Sequence, residues 1–179
     1  MKNNPIGIFD SGIGGLTVAN AIKEVLPYEN IVYFGDTEHH PYGEKSPASI
    51  QYFSRNIINF LVEKKCKTIV IACNSASSVI NKNVLQSAKK IKVYNVIDPV
   101  VNEVVKICSN YNIGVIGTKA TIGSGIYVNK IKEMCNSAKV SSLATPLLAP
   151  MIEEGFINEE ISNKIISNYL SDDSLKNID

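Results

Sequence analysis

The sequence predicts an α/β fold built on open parallel sheets. Short β-branched runs alternate with longer stretches whose apolar residues recur at helical spacing, which is typical of parallel α/β sheets. Several of the short runs are apolar throughout, as expected of strands covered on both faces. The run Ile6-Gly7-Ile8-Phe9 returns as Ile113-Gly114-Val115-Ile116, an offset of 113 − 6 = 107 residues. This repeat predicts two similar α/β domains, 1–98 and 99–179, with their junction at Asp98-Pro99.

The predicted strands and helices alternate along the chain. The strands are Ile6–Phe9, Ile31–Phe34, Thr68–Ala72, Val93–Ile97, Asn112–Gly117 and Val140–Thr145. The helices are Leu16–Leu26, Pro47–Lys65, Ala76–Lys90, Val100–Cys108, Ile122–Cys135 and Glu159–Leu170. The second helix is the best marked, because Ser46 suits an N-cap and Pro47 the first helical position. Its apolar residues share one face: Ile50, Phe53, Ile57, Phe60 and Leu61.

Composition excludes several classes of protein. The 179 residues are 45% hydrophobic, which suits one ordered domain or two small ones, and the formal net charge is +1. Such a balance gives no electrostatic reason to expect a nucleic acid or a membrane surface as partner. No apolar run approaches the roughly 20 residues of a membrane span, and the first residues do not resemble a signal peptide.

The cysteine pattern predicts a reduced, cytoplasmic protein. The four cysteines form no CxxC pair and have no histidine at metal-ligand spacing, so we expect neither disulfides nor a metal site. The adjacent His39 and His40 are expected to be solvated loop residues, since neighbouring side chains on an extended chain diverge.

A glycine-rich turn follows the first strand. The turn Asp10-Ser11-Gly12-Ile13-Gly14-Gly15 can expose backbone N–H groups to an anion, while Asp10 could hold an ammonium group. Together these groups suit an amino acid, although Asp10 could equally cap a tight turn. The turn is not the dinucleotide-binding motif GxGxxG, because position 17 is Thr. It is not a P-loop either, because no Gly-Lys-Ser/Thr occurs.

A cysteine follows the third strand. Cys73 precedes a helix, a location that favours thiolate over thiol. Asn74 and Ser75 offer amide and hydroxyl groups to a carboxylate. Ligands of open α/β sheets bind at the carboxyl ends of strands, where both Cys73 and Asp10 are expected. A structural thiol is the alternative.

Two further segments carry polar groups. The long connection 35–45 could form a lid or binding loop, with Tyr42 packing over a ligand and Gly43 offering its N–H. In the second half, Thr118 and Thr121 either contact a ligand or cap the following helix.

In combination, these motifs resemble the glutamate racemase family, in order and across essentially the whole chain. They are Asp10-Ser11-Gly12 with Gly14-Gly15, Pro41-Tyr42-Gly43, Ala72-Cys73-Asn74-Ser75-Ala76, Gly117-Thr118-x-x-Thr121, and Pro146-Leu147-Leu148-Ala149-Pro150 with Glu153-Glu154-Gly155. The resemblance implies two pseudo-symmetric α/β domains with an active site between them. It also implies cofactor-independent interconversion of L- and D-glutamate, which supplies peptidoglycan synthesis in the bacterial cytoplasm.

The resemblance also implies residue roles. Cys73 is similar to one of two catalytic cysteines, with Asp10 in support, and Glu153, or else Glu154, is similar to an acid that supports the opposite catalytic group. The implied substrate contacts are Asp10, Ser11, Tyr42, Gly43, Asn74, Ser75, Thr118 and Thr121. A small-molecule substrate, glutamate, is the implied partner, and a homodimer is left open.

The chain departs from the family in one respect. The family's second catalytic cysteine lies in a Gly-Cys-Thr-His motif, which this sequence lacks, and the repeat places its position at 73 + 107 = 180. We therefore expect a truncated racemase, with an incomplete second domain and a first domain without its closing segments, that does not invert glutamate appreciably by itself. A racemase of aspartate or another acidic amino acid and a non-catalytic amino-acid-binding fragment are the alternatives.

Overall fold

A computed structural model describes residues 3–108, 111–156 and 158–179 of the chain. The chain divides into two compact units, Met1–Ile97 and Asp98–Asp179. The predicted α/β class with parallel strands is confirmed in both units.

The first unit contains a four-stranded parallel sheet in the order β2-β1-β3-β4. Its elements are β1 (Ile6–Asp10), α1 (Leu16–Val25), β2 (Ile31–Gly35), α2 (Pro47–Glu63), β3 (Thr68–Ile71), α3 (Asn74–Val79), α4 (Lys82–Leu85) and β4 (Lys92–Asn95), with 3₁₀ turns at Tyr42–Glu44 and Gln86–Ala88.

The core of this unit surrounds β1, all five residues of which are buried. Ile8 and Phe9 are fully inaccessible because β1 has a strand on each side and apolar side chains above and below. The α2 helix begins as predicted, with Pro47 at its start and the Ser46 hydroxyl accepting the Ser49 N–H at 3.1 Å.

The second unit has a parallel pair of strands, β5 and β6, among the residues that the structure describes. Its elements are α5 (Ile97–Val104), which begins at the end of the first unit, β5 (Asn112–Gly117), α6 (Lys119–Gly123), α7 (Ile126–Met134), β6 (Lys139–Ala144), α8 (Leu148–Glu153) and α9 (Glu159–Leu170), followed by a 3₁₀ turn at Asp173–Leu175.

Two of the predicted helices are broken by local caps. The stretch predicted as one helix from Ala76 to Lys90 divides at Asn81, whose side chain accepts the Val84 N–H and starts α4. The predicted helix Ile122–Cys135 divides at Gly125, which adopts a left-handed φ of 66° between α6 and α7. Side-chain capping and positive φ end a helix even where apolar spacing continues.

The region around the predicted junction also differs from expectation. Helix α5 runs through Asp98-Pro99, because a proline in the first turn of a helix gives up an N–H that has no partner within the helix. The prediction that the cysteines are reduced is wrong for one pair, since Cys108 and Cys135 form a disulfide that ties the segment after α5 to the end of α7. Of the predicted helix Val100–Cys108, the structure retains the part up to Val104.

In the described ranges of the chain, no helix is long and apolar enough to cross a membrane.

Candidate active site

The ends of β1 and β3 bring the predicted thiol and the glycine-rich turn together. These strands are parallel neighbours with Phe9 beside Ile71, so the residues that follow each strand emerge at the same edge of the sheet. Cys73 is 5% exposed, and its Sγ–H donates to the Ser11 hydroxyl at 3.6 Å. The predicted proximity of Cys73 to the turn is therefore observed.

The Asp10 carboxylate organises the glycine-rich turn. Its Oδ2 atom accepts the N–H of Gly12 at 3.1 Å and that of Gly15 at 3.0 Å. Asp10 is itself 7% exposed. A β-carbon added at Gly15 would lie 2.6 Å from the Asp10 Cβ and 2.9 Å from the Ala72 Cβ. The glycine is thus required for the close approach of the turn to the strand ends, and Asp10 does cap the turn.

The Cys73 thiol is held in its protonated form. Burial, and after it the negative charge of Asp10, raises the pKa of Cys73 to about 11, against weaker opposing contributions from hydrogen bonds of Ala76 and Ser11. The prediction that Cys73 is a thiolate is therefore wrong for this structure. Desolvation outweighs the neighbouring N–H donors because the sulfur is almost completely removed from water.

Tyr33 on β2 contacts the glycine-rich turn. Its hydroxyl donates to the Gly12 carbonyl at 2.9 Å, and a β-carbon at Gly15 would meet that hydroxyl at 3.0 Å. Burial, followed by the charges of Asp10 and Cys73, raises the pKa of Tyr33 to about 12. Tyr33 is not among the predicted site residues, because an isolated tyrosine within an apolar strand carries no local signal.

The two residues after Cys73 have different environments. Asn74 is exposed at the start of α3, whereas Ser75 is 5% exposed and its carbonyl accepts the Ser78 hydroxyl at 2.8 Å. The Cys73 sulfur itself caps α3 by accepting the Ala76 N–H at 3.4 Å.

The connection after β2 is anchored by a buried carboxylate. Asp36 is 6% exposed, accepts the Tyr42 hydroxyl at 2.5 Å and pairs with the His39 Nδ1 atom at 2.8 Å. Tyr42 is 1% exposed, and Gly43 beside it is also buried. The hydroxyl of Tyr42 therefore holds the loop, and the expected packing of Tyr42 over a ligand stays a prediction.

The histidines in this connection are not simply solvated. The His39 ring stacks on Phe53 with 3.9 Å between ring centroids, which adds an aromatic contact to its pairing with Asp36. A β-carbon at Gly12 would lie 3.1 Å from the His40 Cδ2 atom, so His40 lies against the glycine-rich turn. Asp36 is also absent from the predicted site residues. Its position directly after β2, at the carboxyl end of a parallel strand, is the sequence signal that could have identified it.

The predicted residues of the second unit lie on α6 and α8. Thr118 caps α6 by accepting the Thr121 N–H at 3.3 Å, and its hydroxyl donates to the Thr121 hydroxyl at 3.1 Å. Capping is thus the role that these hydrogen bonds assign to Thr118. Thr121 is 5% exposed, whereas Glu153 is exposed at the end of α8 and Glu154 follows that helix.

The first unit therefore belongs to a class of α/β proteins with a thiol and a carboxylate at the carboxyl edge of a parallel sheet, where such folds bind small molecules. No protein-family model matches the chain. Glutamate racemase 3 of Caldanaerobacter subterraneus subsp. tengcongensis is 47% identical over 166 residues, which are 93% of this chain and 59% of that protein.

Solved structures agree with this relationship. Glutamate racemase of Francisella tularensis, crystallised in complex with D-glutamate, superimposes with a TM-score of 0.90 at 42% identity and covers 96% of this chain and 64% of that one. Glutamate racemase of Campylobacter jejuni has a TM-score of 0.86 at 34% identity, covering 94% of this chain and 67% of that one. The chain belongs to the glutamate racemase family. It spans about three fifths of the length of the curated relatives it matches.

Proposed function

We propose that this chain carries one catalytic half of a cofactor-independent glutamate racemase, with Cys73 as the acid–base group on one face of the substrate. The single observation that carries the proposal is the contact of Cys73 with Ser11, next to the Asp10 carboxylate, at the carboxyl edge of the sheet. The complex of the Francisella relative with D-glutamate supports glutamate as the substrate.

The proposed reaction is a pair of proton transfers. The Cys73 thiolate removes the α-proton of glutamate and becomes a thiol, which leaves a carbanion at the α-carbon. A second thiol on the opposite face then donates a proton to that carbon and becomes a thiolate. Without a cofactor to delocalise the charge, the weakly acidic α-proton requires a base in a dry, donor-rich pocket.

Asp10 gives a physical reason for substrate-linked activation of Cys73. The carboxylate raises the pKa of the thiol in the free site. An ammonium group bound at Asp10 would neutralise that effect, because an added positive charge favours the thiolate. Substrate binding would therefore generate the base when it is required. The proposal also includes the substrate contacts and the supporting acid that the family resemblance implies. The substrate contacts are Ser11, Tyr42, Gly43, Asn74, Ser75, Thr118 and Thr121, and the supporting acid is Glu153.

The test joins this chain to the region of the Caldanaerobacter relative that follows its match. In deuterated water, the joined protein should exchange the α-proton of L-glutamate and form D-glutamate, followed by proton NMR and chiral chromatography. Cys73→Ser should reduce both rates at least about 10³-fold, as expected for loss of an acid–base group. Cys66→Ala, which removes the other free buried thiol, is the control and should retain activity. Inactivity of the folded joined protein would contradict the proposal.

The 179-residue chain alone should not invert glutamate at an appreciable rate, because inversion requires a proton donor on each face of the α-carbon. Rapid formation of D-glutamate by this chain would show that expectation to be wrong. The same assay with L-aspartate distinguishes a racemase of another acidic amino acid, which would process aspartate faster than glutamate.

A non-catalytic amino-acid-binding module is the second candidate function. It is favoured by the protonated state of Cys73. Calorimetric binding of glutamate, with no α-proton exchange by either the chain or the joined protein, would support it. The supply of D-glutamate to peptidoglycan, in the bacterial cytoplasm, is proposed on the family resemblance.

A further inference from the structure

A covalent bond ties two helices of the second unit together. The disulfide joins Cys108, shortly beyond the end of α5 at Val104, to Cys135, the residue that follows α7. Near the start of α5, the Lys130 ammonium group of α7 lies 2.9 Å from the Asp98 carboxylate. An ion pair and a disulfide thus hold α5 against α7 at two separate places.

The surfaces of these two helices are not fully packed together. An open cavity of about 310 Å³ lies between them. Its lining residues are Asp98, Val101 and Asn102 of α5 and Lys130, Glu133 and Met134 of α7. Side chains that border a void lose packing contacts on that side, so packing alone fixes the separation of the helices weakly. The disulfide therefore has a large share in holding that separation.

The two sulfur atoms of the disulfide differ in their access to solvent. Cys108 is 2% exposed, whereas Cys135 is half-buried at the end of its helix. In thiol–disulfide exchange a thiolate has to reach the sulfur that it attacks, so access selects the sulfur that reacts. A dissolved thiol or disulfide therefore reaches Cys135 before it reaches Cys108.

Both cysteines have polar neighbours that suit the reduced state. The Cys108 Sγ atom lies 3.3 Å from the Val105 carbonyl oxygen, which can accept the S–H of a thiol. The Ser137 Oγ atom lies 3.6 Å from the Cys135 Sγ atom, and its O–H can donate to a thiolate there. The Cys135 N–H also donates to the Ile131 carbonyl at 2.8 Å, which secures the end of α7 without the disulfide. Reduction therefore leaves each sulfur with a partner and α7 with its last turn.

We propose that Cys108 and Cys135 form a reversible redox site that exchanges with low-molecular-weight disulfides such as oxidised glutathione, and that Cys135 is the first of the two sulfurs to react. Oxidation fastens the end of α5 to α7. Reduction leaves the ion pair of Asp98 with Lys130, and an ion pair between partly exposed groups stabilises little. The redox state of the site thus sets how firmly the two helices are held together.

The oxidation consists of two exchange steps. The Cys135 thiolate attacks one sulfur of oxidised glutathione, forms a mixed disulfide and expels a glutathione thiolate, which takes up the proton that Cys135 released. Cys108 then loses its proton, attacks the Cys135 sulfur and expels the second glutathione, which takes up that proton. Two protein thiols and one glutathione disulfide become one protein disulfide and two glutathione thiols, and reduction is the reverse.

A redox site of this kind has a use in the cytoplasm. Thiols there are kept reduced, and a disulfide that forms in that compartment is usually transient or redox-sensing. This use rests on the cytoplasmic location given under the proposed function. The exchange chemistry itself does not, since it depends on the two cysteines and their neighbours.

The first experiment equilibrates the full chain, without oxygen, in mixtures of reduced and oxidised glutathione. The exchange is stopped with acid, the protein is unfolded in urea, and free thiols are labelled with N-ethylmaleimide and located by peptide mass spectrometry. Labels on Cys108 and Cys135 should disappear together, with a single midpoint, as the share of oxidised glutathione rises. Cys66 and Cys73, which are free and buried, should stay labelled throughout.

Two single substitutions test which sulfur reacts first. Cys108→Ser leaves the half-buried Cys135 thiol, which should form a stable mixed disulfide with glutathione. Cys135→Ser leaves the buried Cys108 thiol, whose reaction with oxidised glutathione should be at least about tenfold slower, because thiol reactivity follows access. Circular dichroism verifies the fold of each variant. Equal rates in the two variants, or a faster reaction at Cys108, would contradict the role of Cys135.

Hydrogen exchange measures the effect of the bond on the helices. Reduction should speed the exchange of the Val105 and Cys135 amides, which lie beside the disulfide, at least about tenfold by NMR. The amide of Ile8 in β1 of the first unit should be unaffected. In Cys108→Ser, the Val105 and Cys135 amides should exchange at the fast rate in either redox buffer. Unchanged exchange on reduction would show that the bond does not hold the helices.

Three outcomes of the equilibration would overturn the proposal: thiols of Cys108 and Cys135 that stay labelled at every glutathione ratio, a disulfide that reduced glutathione does not open, or a chain that unfolds on reduction. The second and third would make the bond a permanent structural link. All of these measurements are made without glutamate and do not involve proton transfer by Cys73. The redox site and the proposed racemase chemistry can therefore fail independently of each other.

Discussion

The Sγ atom of Cys73 lies 3.6 Å from the Oγ atom of Ser11, although the two residues are separated by 62 positions in the chain. The parallel pairing of β1 with β3 produces this contact, since both strands end at the same edge of the sheet. The consequence is that the charge of Asp10, at the end of β1, acts directly on a thiol that follows β3.

Asp10→Asn should lower the pKa of Cys73. Burial contributes the larger part of the upward shift and stays in the variant, so the pKa should fall from about 11 but remain above its ordinary value of 9.0. The measurement is the thiolate absorbance near 240 nm as a function of pH, with the Cys73→Ser form of each protein subtracted. Glu24→Gln removes an exposed carboxylate from the same unit and should leave the titration unchanged. An unchanged or higher pKa in Asp10→Asn would show that Asp10 does not control the thiol.

The stability of the first unit should fall at alkaline pH. The pKa of Cys73 rises on folding from 9.0 to about 11, so its contribution is fully present below pH 9 and is lost as the pH rises towards 11. Between pH 8 and pH 10, linkage gives a loss of about 1 kcal/mol in the free energy of unfolding. Urea titrations followed by circular dichroism measure this loss, which should be smaller by that amount in Cys73→Ser. Equal pH dependence in both proteins would contradict the raised pKa.

The elements that the sequence predicts well are those with local signals. Helix α2 has its own start signal at Ser46-Pro47 and one apolar face, so its predicted end lies within two residues of the observed end at Glu63. Strand β1 is apolar from Ile6 to Phe9, as befits the buried centre of a sheet.

The features that the sequence could not reveal depend on distant contacts. The pKa of Cys73 is set by burial in the folded unit and by Asp10, whereas the expected thiolate considered the adjacent helix start and neighbouring donors. The disulfide joins Cys108 to Cys135, 27 residues away, and neither residue has a partner at close spacing. The role of His39 depends on Phe53, a ring on a different element that no local pattern identifies.

Tyr42→Phe should destabilise the first unit although it removes a single oxygen atom. The Tyr42 hydroxyl donates to the buried Asp36 carboxylate at 2.5 Å, and its loss leaves one carboxylate oxygen without that donor. Loss of a partner to a buried charged group costs about 1 to 3 kcal/mol, which we expect as the decrease in the free energy of unfolding. Urea denaturation provides the measurement. Tyr52→Phe, on a side chain that is 62% exposed, should change stability by less than about 0.5 kcal/mol. Equal effects of the two substitutions would mean that Asp36 does not depend on the tyrosine.

Gly15→Ala should disrupt the glycine-rich turn. The backbone of Gly15 has a φ of −66°, which alanine adopts readily, so any cost comes from space alone. The added β-carbon would lie 2.6 Å from the Asp10 Cβ, 2.9 Å from the Ala72 Cβ and 3.0 Å from the Tyr33 hydroxyl. Since two of these atoms are fixed to strand ends, the turn has to move, at a cost of about 1 to 3 kcal/mol in the free energy of unfolding.

Gly123→Ala is the matched control, because nothing lies within 4 Å of its added β-carbon and the residue is in α6, where alanine favours the helix by about 0.5 to 1 kcal/mol. Urea unfolding should therefore shift in opposite directions for the two variants, and the titration of Cys73 should change in Gly15→Ala but not in Gly123→Ala. A stable Gly15→Ala protein with an unaltered Cys73 titration would show that the turn does not need a glycine to bring Asp10 to the thiol.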